Sequence, residues 1–267
     1  GKKALVLGVA NSRSLGWHIA SRWRQEGAQV FITYQDDRFK KTIHHLVQTS
    51  WGPFSVDIGL PATNCDVSRD EDMEALFKHL ESRNFCSKST EIDAPKLDAV
   101  LHSIAYAPPT AMKEGSLLNT SREAFLESHA VSTYSLIIAA RTSLPYLAPQ
   151  SSITAMTYIG SNKVVPNYNI MGPAKASLES CARGLAYELG EKGIRVNCLS
   201  PGPVRTLAAK GIKGFNSMEK NVKERSPMQR GANMDEITGT ATFLASNYAT
   251  AITGQIVYAD CGFSSVV

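Results

Sequence analysis

The stretch ALVLGVANSRSLG, residues 4–16, decides the fold of this chain. Its first four residues form an apolar run suited to a buried parallel strand, and residues 17–26 predict a helix that ends at Gly27. Between them, Gly8 lets the backbone approach a pyrophosphate, and the helix N-terminus supplies aimed N–H groups. Ser14 is placed to cap the helix or to donate to phosphate. The spacing departs from G-x-G-x-x-G, so a purely structural turn is the alternative.

Strand and helix patterns alternate along the rest of the chain. Six further strands are predicted at residues 29–34, 62–67, 97–104, 152–158, 195–199 and 255–259. Such alternation predicts an α/β fold, a Rossmann-like, doubly wound, seven-stranded parallel sheet with helices on both faces. Ligands bind beyond the carboxyl ends of such strands. The residues predicted to lie there are Gly8, Gln35, Asp66, Ser103, Tyr158 and Pro201.

Length and composition favour a single domain over residues 1–267, because 43% hydrophobic content can bury one substantial core. The net charge of +4 is mild and no basic run resembles a nucleic-acid arm, so no nucleic-acid partner is expected. No apolar run approaches the roughly 18 residues of a membrane span. Five scattered cysteines without C-x-x-C spacing indicate reduced thiols and no metal site. We therefore expect a soluble, cytoplasmic protein, or an organelle-matrix protein if a leader was removed before Gly1.

A tyrosine and a lysine carry the most informative chemistry. Tyr168 and Lys175 are separated by close to two helical turns of about 3.6 residues, so they share a face if the segment is helical. A phenol near a fixed positive charge can donate to an oxygen that is becoming an anion, and the charge favours the phenolate. Pro173 belongs in a first helical turn, so Tyr168 can instead lie just before the helix. A chance pair on a solvated helix is the alternative.

Several collinear segments accompany this pair, and together they resemble one family. They are TYQ at 33–35, CDV at 65–67, HSIAYAP at 102–108, PNYN at 166–169 and GPVRTLAA at 202–209. With Tyr158 and Tyr168-x6-Lys175, they resemble the enoyl-acyl carrier protein reductases, a divergent branch of the short-chain dehydrogenase/reductase superfamily. Ordinary members of the superfamily carry Ser on the fifth strand and then Tyr-x3-Lys. Two departures are Cys261, where the family usually has Gly, and residues 85–95, which predict an inserted polar surface loop.

The resemblance implies a binding site for NADH/NAD+. Adenine would lie near Asp66 and Val67, and the adenosine ribose near Gln35. The implied cofactor-binding residues are Gly8, Ser14, Leu15, Gln35, Asp66, Val67, Ser103, Ile104, Ala105, Lys175, Pro203, Val204, Thr206, Leu207 and Ala208. The segments at 8–15 and 203–208 would meet the pyrophosphate and the nicotinamide, respectively.

The resemblance also implies hydride transfer from NADH to the β-carbon of a trans-2-enoyl thioester in type II fatty acid synthesis. Tyr168 would stabilise the enolate oxygen, Lys175 would hold the nicotinamide ribose, and Tyr158 would shape the acyl pocket or assist proton delivery. A small helical lid at about 205–230 would cover the acyl chain. The implied substrate-binding residues are Tyr106, Ala107, Tyr158, Met171, Ala208, Ile212, Phe215 and Met218.

Charge around the predicted lid favours an acidic partner. From Arg205 to Arg230 there are seven basic and two acidic residues, a net charge of +5 that exceeds the +4 of the whole chain. Acyl carrier proteins are strongly acidic, so a basic rim would raise the encounter rate at low salt. A solvated helical face is the alternative. The resemblance further implies a homotetramer through helices within 120–147 and 168–191, and the apolar run at 136–138 supports it.

The end of the second strand bears on cofactor choice. Residues 35–37, Gln-Asp-Asp, offer no cation for a 2′-phosphate, and the carboxylates would repel it, so NADH is predicted over NADPH. Arg38, Lys40 and Lys41 follow closely. If one of them folds back over the ribose, NADPH becomes possible.

The residues leave three alternative functions open. A ketoreductase or alcohol dehydrogenase of the same superfamily would carry serine where Tyr158 stands. An enoyl reductase of secondary metabolism would share every residue named so far. A non-catalytic nucleotide-binding module would keep the Gly8 turn without needing Tyr168 and Lys175.

Overall fold

The computed structural model describes residues 1–52, 60–90, 94–113, 117–204 and 215–266. Within these ranges, seven parallel strands form one sheet in the order β3-β2-β1-β4-β5-β6-β7. The strands are β1 Lys3–Leu7, β2 Gln29–Tyr34, β3 Ala62–Asn64, β4 Leu97–His102, β5 Leu147–Met156, β6 Arg195–Pro201 and β7 Ile256–Ala259. The predicted seven-stranded sheet is therefore confirmed.

Helices cover both faces of the sheet. They are α1 Leu15–Gln25, α2 Asp37–Trp51, α3 Asp70–Ser82, α4 Arg122–His129, α5 Ser135–Ser143, α6 Met171–Gly190, α7 Phe215–Arg225 and α8 Met234–Ala245. One core cluster packs α3, α5 and α6 against the sheet, and a second packs α1, α2 and α8 against the other face. This is the doubly wound arrangement that the sequence predicts. No helix in the described ranges is long and apolar enough to cross a membrane.

Strand β1 shows why the first four residues of the deciding stretch are all apolar. Leu5 and Leu7 enter one core cluster, whereas Ala4 and Val6 enter the other. Side chains alternate between the faces of a strand, and both faces of a central parallel strand are covered by helices. The run is therefore apolar throughout, because every position in it is buried.

The chain leaves β1 and its neighbour β4 in opposite directions across the sheet, which makes their carboxyl ends a topological switch point. Ser103 N donates to Leu7 O at 3.0 Å, directly after the paired ends of these strands. Gly8 follows with φ +91°, and a Cβ there would lie 2.6 Å from both the Ser103 carbonyl oxygen and Ile104 Cγ1. Only glycine permits this close crossing of the two segments.

Three strands end earlier than predicted, and one of them is β4, which ends at His102 instead of residue 104. β3 ends at Asn64: Cys65 N still donates to Tyr34 O at 2.8 Å, but Asp66 N donates to Asp72 Oδ2 at 3.0 Å and leaves the sheet. β5 ends at Met156, and although Thr157 N still donates to Leu199 O, Tyr158 lies beyond the strand. The expectation of a tyrosine within the fifth strand is therefore wrong by two residues.

The expected surface loop at residues 85–95 begins inside the core. Phe85 and Cys86 are fully buried, and the Phe85 ring meets Phe31 edge-on with centroids 5.5 Å apart. An aromatic ring and an uncharged thiol belong in that environment. The prediction of a surface loop is wrong for these two residues, and residues 91–93 lie outside the described ranges.

Candidate active site

Lys175 is a buried cation at the centre of the candidate site. It lies in the second turn of α6, with 4% of its surface exposed. Its ammonium donates to Met156 O at 2.7 Å and to Ile104 O at 3.3 Å, and so ties the end of β5 to the segment after β4. Burial lowers the pKa of Lys175 to about 8, while Cys198 and Glu179 act in the opposite direction. An ammonium has three N–H donors, so one remains for a further acceptor.

Tyr168 lies in a tight loop three residues before α6. Its N–H donates to Val165 O, and its carbonyl accepts from Met171 N as the helix begins. Asn167 and Asn169 on either side have φ of 63° and 43°, in the left-handed region that asparagine tolerates. The prediction that Tyr168 and Lys175 share a helical face is therefore wrong. The alternative that Pro173 suggests, with Tyr168 just before the helix, is confirmed.

The Tyr168 phenol is neutral. Burial raises its pKa, and the nearby Tyr158 and Glu179 add to the rise. The direction of this shift is opposite to the one expected from a nearby Lys175, whose ammonium donates to two backbone carbonyls. Tyr168 can therefore donate a hydrogen bond over the ordinary pH range.

Two glycines that sequence reasoning missed hold the Tyr168 loop. A Cβ on Gly160 would lie 2.4 Å from Tyr168 Cδ1, and a Cβ on Gly172 would lie 2.8 Å from Gly160 O. The Tyr168 ring thus occupies the space that any side chain at 160 would need. The only signal in the sequence is a glycine two residues after Tyr158.

Tyr158 faces both Tyr168 and the predicted lid. The two rings meet edge-on with centroids 5.1 Å apart. The Tyr158 hydroxyl donates to Met218 Sδ on α7 at 3.0 Å, and burial raises the pKa of this phenol to about 12. The structure therefore brings Tyr158, Tyr168 and Met218 together, as the resemblance implies.

A buried carboxylate lies one helical turn after Lys175. Glu179 is 5% exposed and accepts a hydrogen bond from Thr157 Oγ1 at 2.6 Å. This bond joins α6 to the residue between the end of β5 and Tyr158. Sequence reasoning missed both members, although the i, i+4 spacing from Lys175 placed Glu179 on the same face.

The predicted pyrophosphate loop is closed by Ser14. Its Oγ accepts from Ala10 N and Asn11 N at 3.1 Å each, and it makes no cap to its own helix. The expectation of a helix cap is therefore wrong. The hydroxyl proton is still available to donate, and Leu15 starts α1 beside it.

The residues predicted around adenine and its ribose follow β2 and β3. Gln35 is exposed at the end of β2, and Asp66 accepts from Ser68 N and Oγ in the turn after β3. The Val67 side chain points into the core, which leaves its backbone for a ligand. Asp36 N-caps α2 and pairs with Arg38 at 2.6 Å, which lowers the pKa of the Asp36 carboxyl.

The segment after β4 is held by a π-helical turn, Ala130–Tyr134, which joins α4 to α5. Ser132 Oγ in this turn accepts from Tyr106 N and donates to Tyr106 O, both at 2.9 Å. Ser132 Oγ also lies 3.9 Å from Met171 Sδ. The predicted residues Ser103, Ile104, Ala105, Tyr106 and Ala107 lie along this segment. π-helical turns often mark functional sites, but no residue pattern predicted this one.

Part of the prediction falls outside the described ranges. Pro203 and Val204 follow β6, where Gly202 N donates to Ala259 O and Val204 packs on the core. Thr206, Leu207, Ala208 and Ile212, and the side chain of Phe215, are not described. Of the predicted lid, the structure describes α7 and the chain that follows it to residue 230.

Two of the four basic residues of the predicted rim that the structure describes are paired with carboxylates. Arg230 pairs with Glu236 at 2.6 Å, and Lys220 approaches Glu224 at 3.7 Å. Arg205, Lys210 and Lys213 lie outside the described ranges. Lys223 and Arg225 on α7 are exposed, without a salt bridge in the described part of the chain.

A family model described as Enoyl-(Acyl carrier protein) reductase matches residues 8–264. The chain belongs to this family. The family predicted from the Tyr-x6-Lys pattern is thereby confirmed, and the chain is an oxidoreductase.

Relatives of this enoyl reductase are similar along nearly their whole length. The enoyl-acyl-carrier-protein reductase (NADH) FabI of Bacillus subtilis is 39% identical, over 98% of this chain and 96% of its own. FabI of Aquifex aeolicus is 40% identical, over 98% and 91%.

Solved structures show the same fold. The reductase (NADH) from Aquifex aeolicus gives a TM-score of 0.87 at 39% identity, covering 98% of this chain and 96% of that one. The Bacillus cereus enzyme with NADP+ and an indole naphthyridinone gives 0.90 at 36%, covering 100% and 98%. The Anaplasma phagocytophilum enzyme with NAD gives 0.88 at 36%, covering 100% and 95%.

We expect Gly160→Ala to lower the turnover number of the reductase with an enoyl thioester by about tenfold to a hundredfold. The new methyl group must push the Tyr168 ring aside, and a shift of about 1 Å in a reacting group can cost that much. Steady-state kinetics with a crotonyl thioester measure the turnover number, and fluorescence titration measures the NADH affinity.

Gly239→Ala is the matched control, because Gly239 lies within α8 and a Cβ there meets nothing within 4 Å. It should leave turnover unchanged. Equal turnover for Gly160→Ala and the parent enzyme would show that the Tyr168 ring position does not control the reaction.

Proposed function

We propose that this enoyl-acyl carrier protein reductase transfers hydride from NADH to the β-carbon of a trans-2-enoyl thioester, with Tyr168 as the donor to the enolate oxygen. The observation that supports this role is a buried phenol with a raised pKa, in the loop that leads directly into the helix of the buried Lys175 ammonium, at the carboxyl edge of β4 and β5. A reaction that develops negative charge on a carbonyl oxygen needs such a donor.

The described residues fit a nicotinamide dinucleotide. The N-terminus of α1 presents N–H groups that have no partner within the helix. Nearby, Gly8 has no side chain to keep a ligand away from the backbone. Ser14 keeps its hydroxyl proton for an acceptor, and Lys175 keeps one N–H. Bound NADH supplies the hydride. Lys175 would hold the hydroxyls of the nicotinamide ribose with its third donor.

The movement of electrons in this reaction gives each of the two tyrosines a role. As hydride reaches the β-carbon, the electrons of the double bond and the thioester carbonyl shift onto the oxygen. Tyr168 donates its phenolic hydrogen bond to that oxygen, and protonation at the α-carbon completes the reduction. Tyr158, with its hydroxyl on Met218, forms the wall of the acyl pocket that faces α7.

Tyr168→Phe should lower the turnover number by about 10²–10³-fold, because one aimed donor to a developing oxyanion is removed. NADH affinity should persist, since the phenol acts on the thioester and not on the cofactor. Lys175→Ala should weaken NADH binding as well. Steady-state kinetics and NADH titration of both variants separate the two roles.

Tyr158→Phe is the matched phenol-to-phenyl control, and it should cost less than Tyr168→Phe. If Tyr168→Phe turned over as the parent enzyme does while Tyr158→Phe did not, the donor would be Tyr158.

We also propose that NADH is preferred over NADPH. Arg38 is the first cation along the chain after β2, and it is bound by the Asp36 carboxylate through hydrogen bonds of 2.6 to 3.0 Å. A 2′-phosphate would have to compete with that carboxylate and would meet its repulsion. The relatives named above are NADH enzymes by name, whereas the Bacillus cereus structure holds NADP+.

Asp36→Asn should therefore raise the kcat/KM for NADPH relative to that for NADH. The amide still N-caps α2, so the helix is kept, while Arg38 is released and one negative charge is removed. Glu26→Gln at the far end of α1 removes a carboxylate without changing this site. An unchanged cofactor ratio in Asp36→Asn would show that the Asp36–Arg38 pair does not set the preference.

We further propose a homotetramer formed through α4 to α6. Phe125 and Leu126 on α4 and Tyr187 on α6 are exposed, Tyr187 to 88%. The apolar run at 136–138 was expected to support the tetramer, but it does not, because Leu136 and Ile138 are buried within the protomer. Light scattering at micromolar concentration should give four times the mass of one chain, and a monomeric mass would contradict the proposal.

A further inference from the structure

A cavity of about 670 Å³ opens beside Tyr158, between residues 158–167 and α7. This volume lies in the range of small-molecule sites. At one end, the Tyr158 hydroxyl donates to Met218 Sδ at 3.0 Å, so this end adjoins the candidate active site. The roles assigned to the site so far leave the rest of the cavity without an occupant.

One wall of the cavity is a single face of α7. Met218, Asn221 and Arg225 line it and are spaced i, i+3 and i+7, which places them on one side of the helix. At 1.5 Å per residue, Arg225 lies about 10 Å along the helix from Met218. The cavity therefore runs from a phenol at one end to a guanidinium at the other.

The facing wall brings a second cation. Lys163 follows the turn after Tyr158, where its N–H donates to Ile159 O, and its side chain lines the cavity. Lys163 and Arg225 are both exposed and have no salt-bridge partner in the described part of the chain, unlike Lys220 and Arg230. No acidic side chain lines the described part of the cavity. Two cations and no acid among these lining residues make the cavity favourable for an anionic ligand.

The walls between the two ends are mixed. Val165 and Phe263 are apolar, whereas Asn167 and Asn221 carry amides. A plain alkyl chain would desolvate those amides and cations without replacing their hydrogen bonds. A ligand that alternates amide and methyl groups and ends in a phosphate matches the lining along its whole length.

We propose that this cavity binds the phosphorylated pantetheine arm of the thioester substrate, with Lys163 and Arg225 on its phosphate. The inference rests on the proposed function, because the arm enters only if a thioester is reduced beside Tyr158 and Tyr168. The amides of the arm meet Asn167 and Asn221, and its thioester end reaches the two tyrosines. A carrier-linked substrate and a coenzyme A thioester share this arm and its phosphate.

The test compares three crotonyl thioesters: N-acetylcysteamine, which lacks the phosphate, coenzyme A, and acyl carrier protein. In Lys163→Gln/Arg225→Gln, kcat/KM should fall about tenfold or more for coenzyme A and carrier thioesters, through KM. The N-acetylcysteamine thioester should be reduced as by the parent enzyme. Lys78→Gln/Lys192→Gln removes two exposed charges elsewhere and is the matched control.

Three outcomes would overturn the proposal. A parallel loss on all three thioesters would mean that the double variant disturbs the catalytic site. A loss on the carrier thioester alone would mean that these cations bind the surface of the carrier protein. No loss on any of the three thioesters would mean that Lys163 and Arg225 do not bind the phosphate.

Failure of the proposed function would be visible separately. If the parent enzyme reduced none of the three thioesters, calorimetric titration with 4′-phosphopantetheine would still test the cavity. Saturable binding to the parent enzyme that weakens about tenfold in Lys163→Gln/Arg225→Gln supports the phosphate site. Equal binding to both, or none to either, overturns it.

Discussion

The site depends on how one buried charge is satisfied. The ammonium of Lys175 has left water, and a buried charge is tolerated only where donors and acceptors are matched. Its acceptors are the carbonyl of Met156, the last residue of β5, and the carbonyl of Ile104, which follows the neighbouring strand β4. The bond pattern fixes α6 against the carboxyl edge of the sheet, and the loop that carries Tyr168 must then close between fixed ends.

That closure explains the backbone around Tyr168. The loop spans the short distance from β5 to α6, with asparagines in the left-handed region on either side of the tyrosine. Such conformations persist where surrounding structure over-determines them. Here Asn169 Nδ2 donates to Lys113 O at 2.7 Å, and the bare Gly160 backbone admits the ring. The phenol is held by sterics and backbone bonding, and its neutrality follows from the same burial.

Sequence patterns predicted what depends on local burial, and they failed where tertiary contacts decide. The apolar runs of β1 and β2 are visible because both faces are buried, and the Tyr-x6-Lys spacing identified the family. Where β3 ends depends on contacts such as that of Asp66 N with the Asp72 carboxylate, which the apolar pattern does not display. The protonation of Tyr168 depends on desolvation, which no spacing encodes. Ser132 bonds to Tyr106, 26 residues away, through a π-helical turn without a sequence signature.

The pairing of β1 with β4 has a consequence for how the chain folds. Ala4 pairs with Ala99, so the central contact of the sheet joins segments about a third of the chain apart. Loop-closure entropy must be paid before such a contact stabilises anything, and folds rich in non-local pairings fold slowly. Gly8, Ile104 and Lys175 meet only after this pairing and the docking of α6. During synthesis, therefore, no N-terminal fragment that ends before α6 can contain a working site, however many strands it has formed.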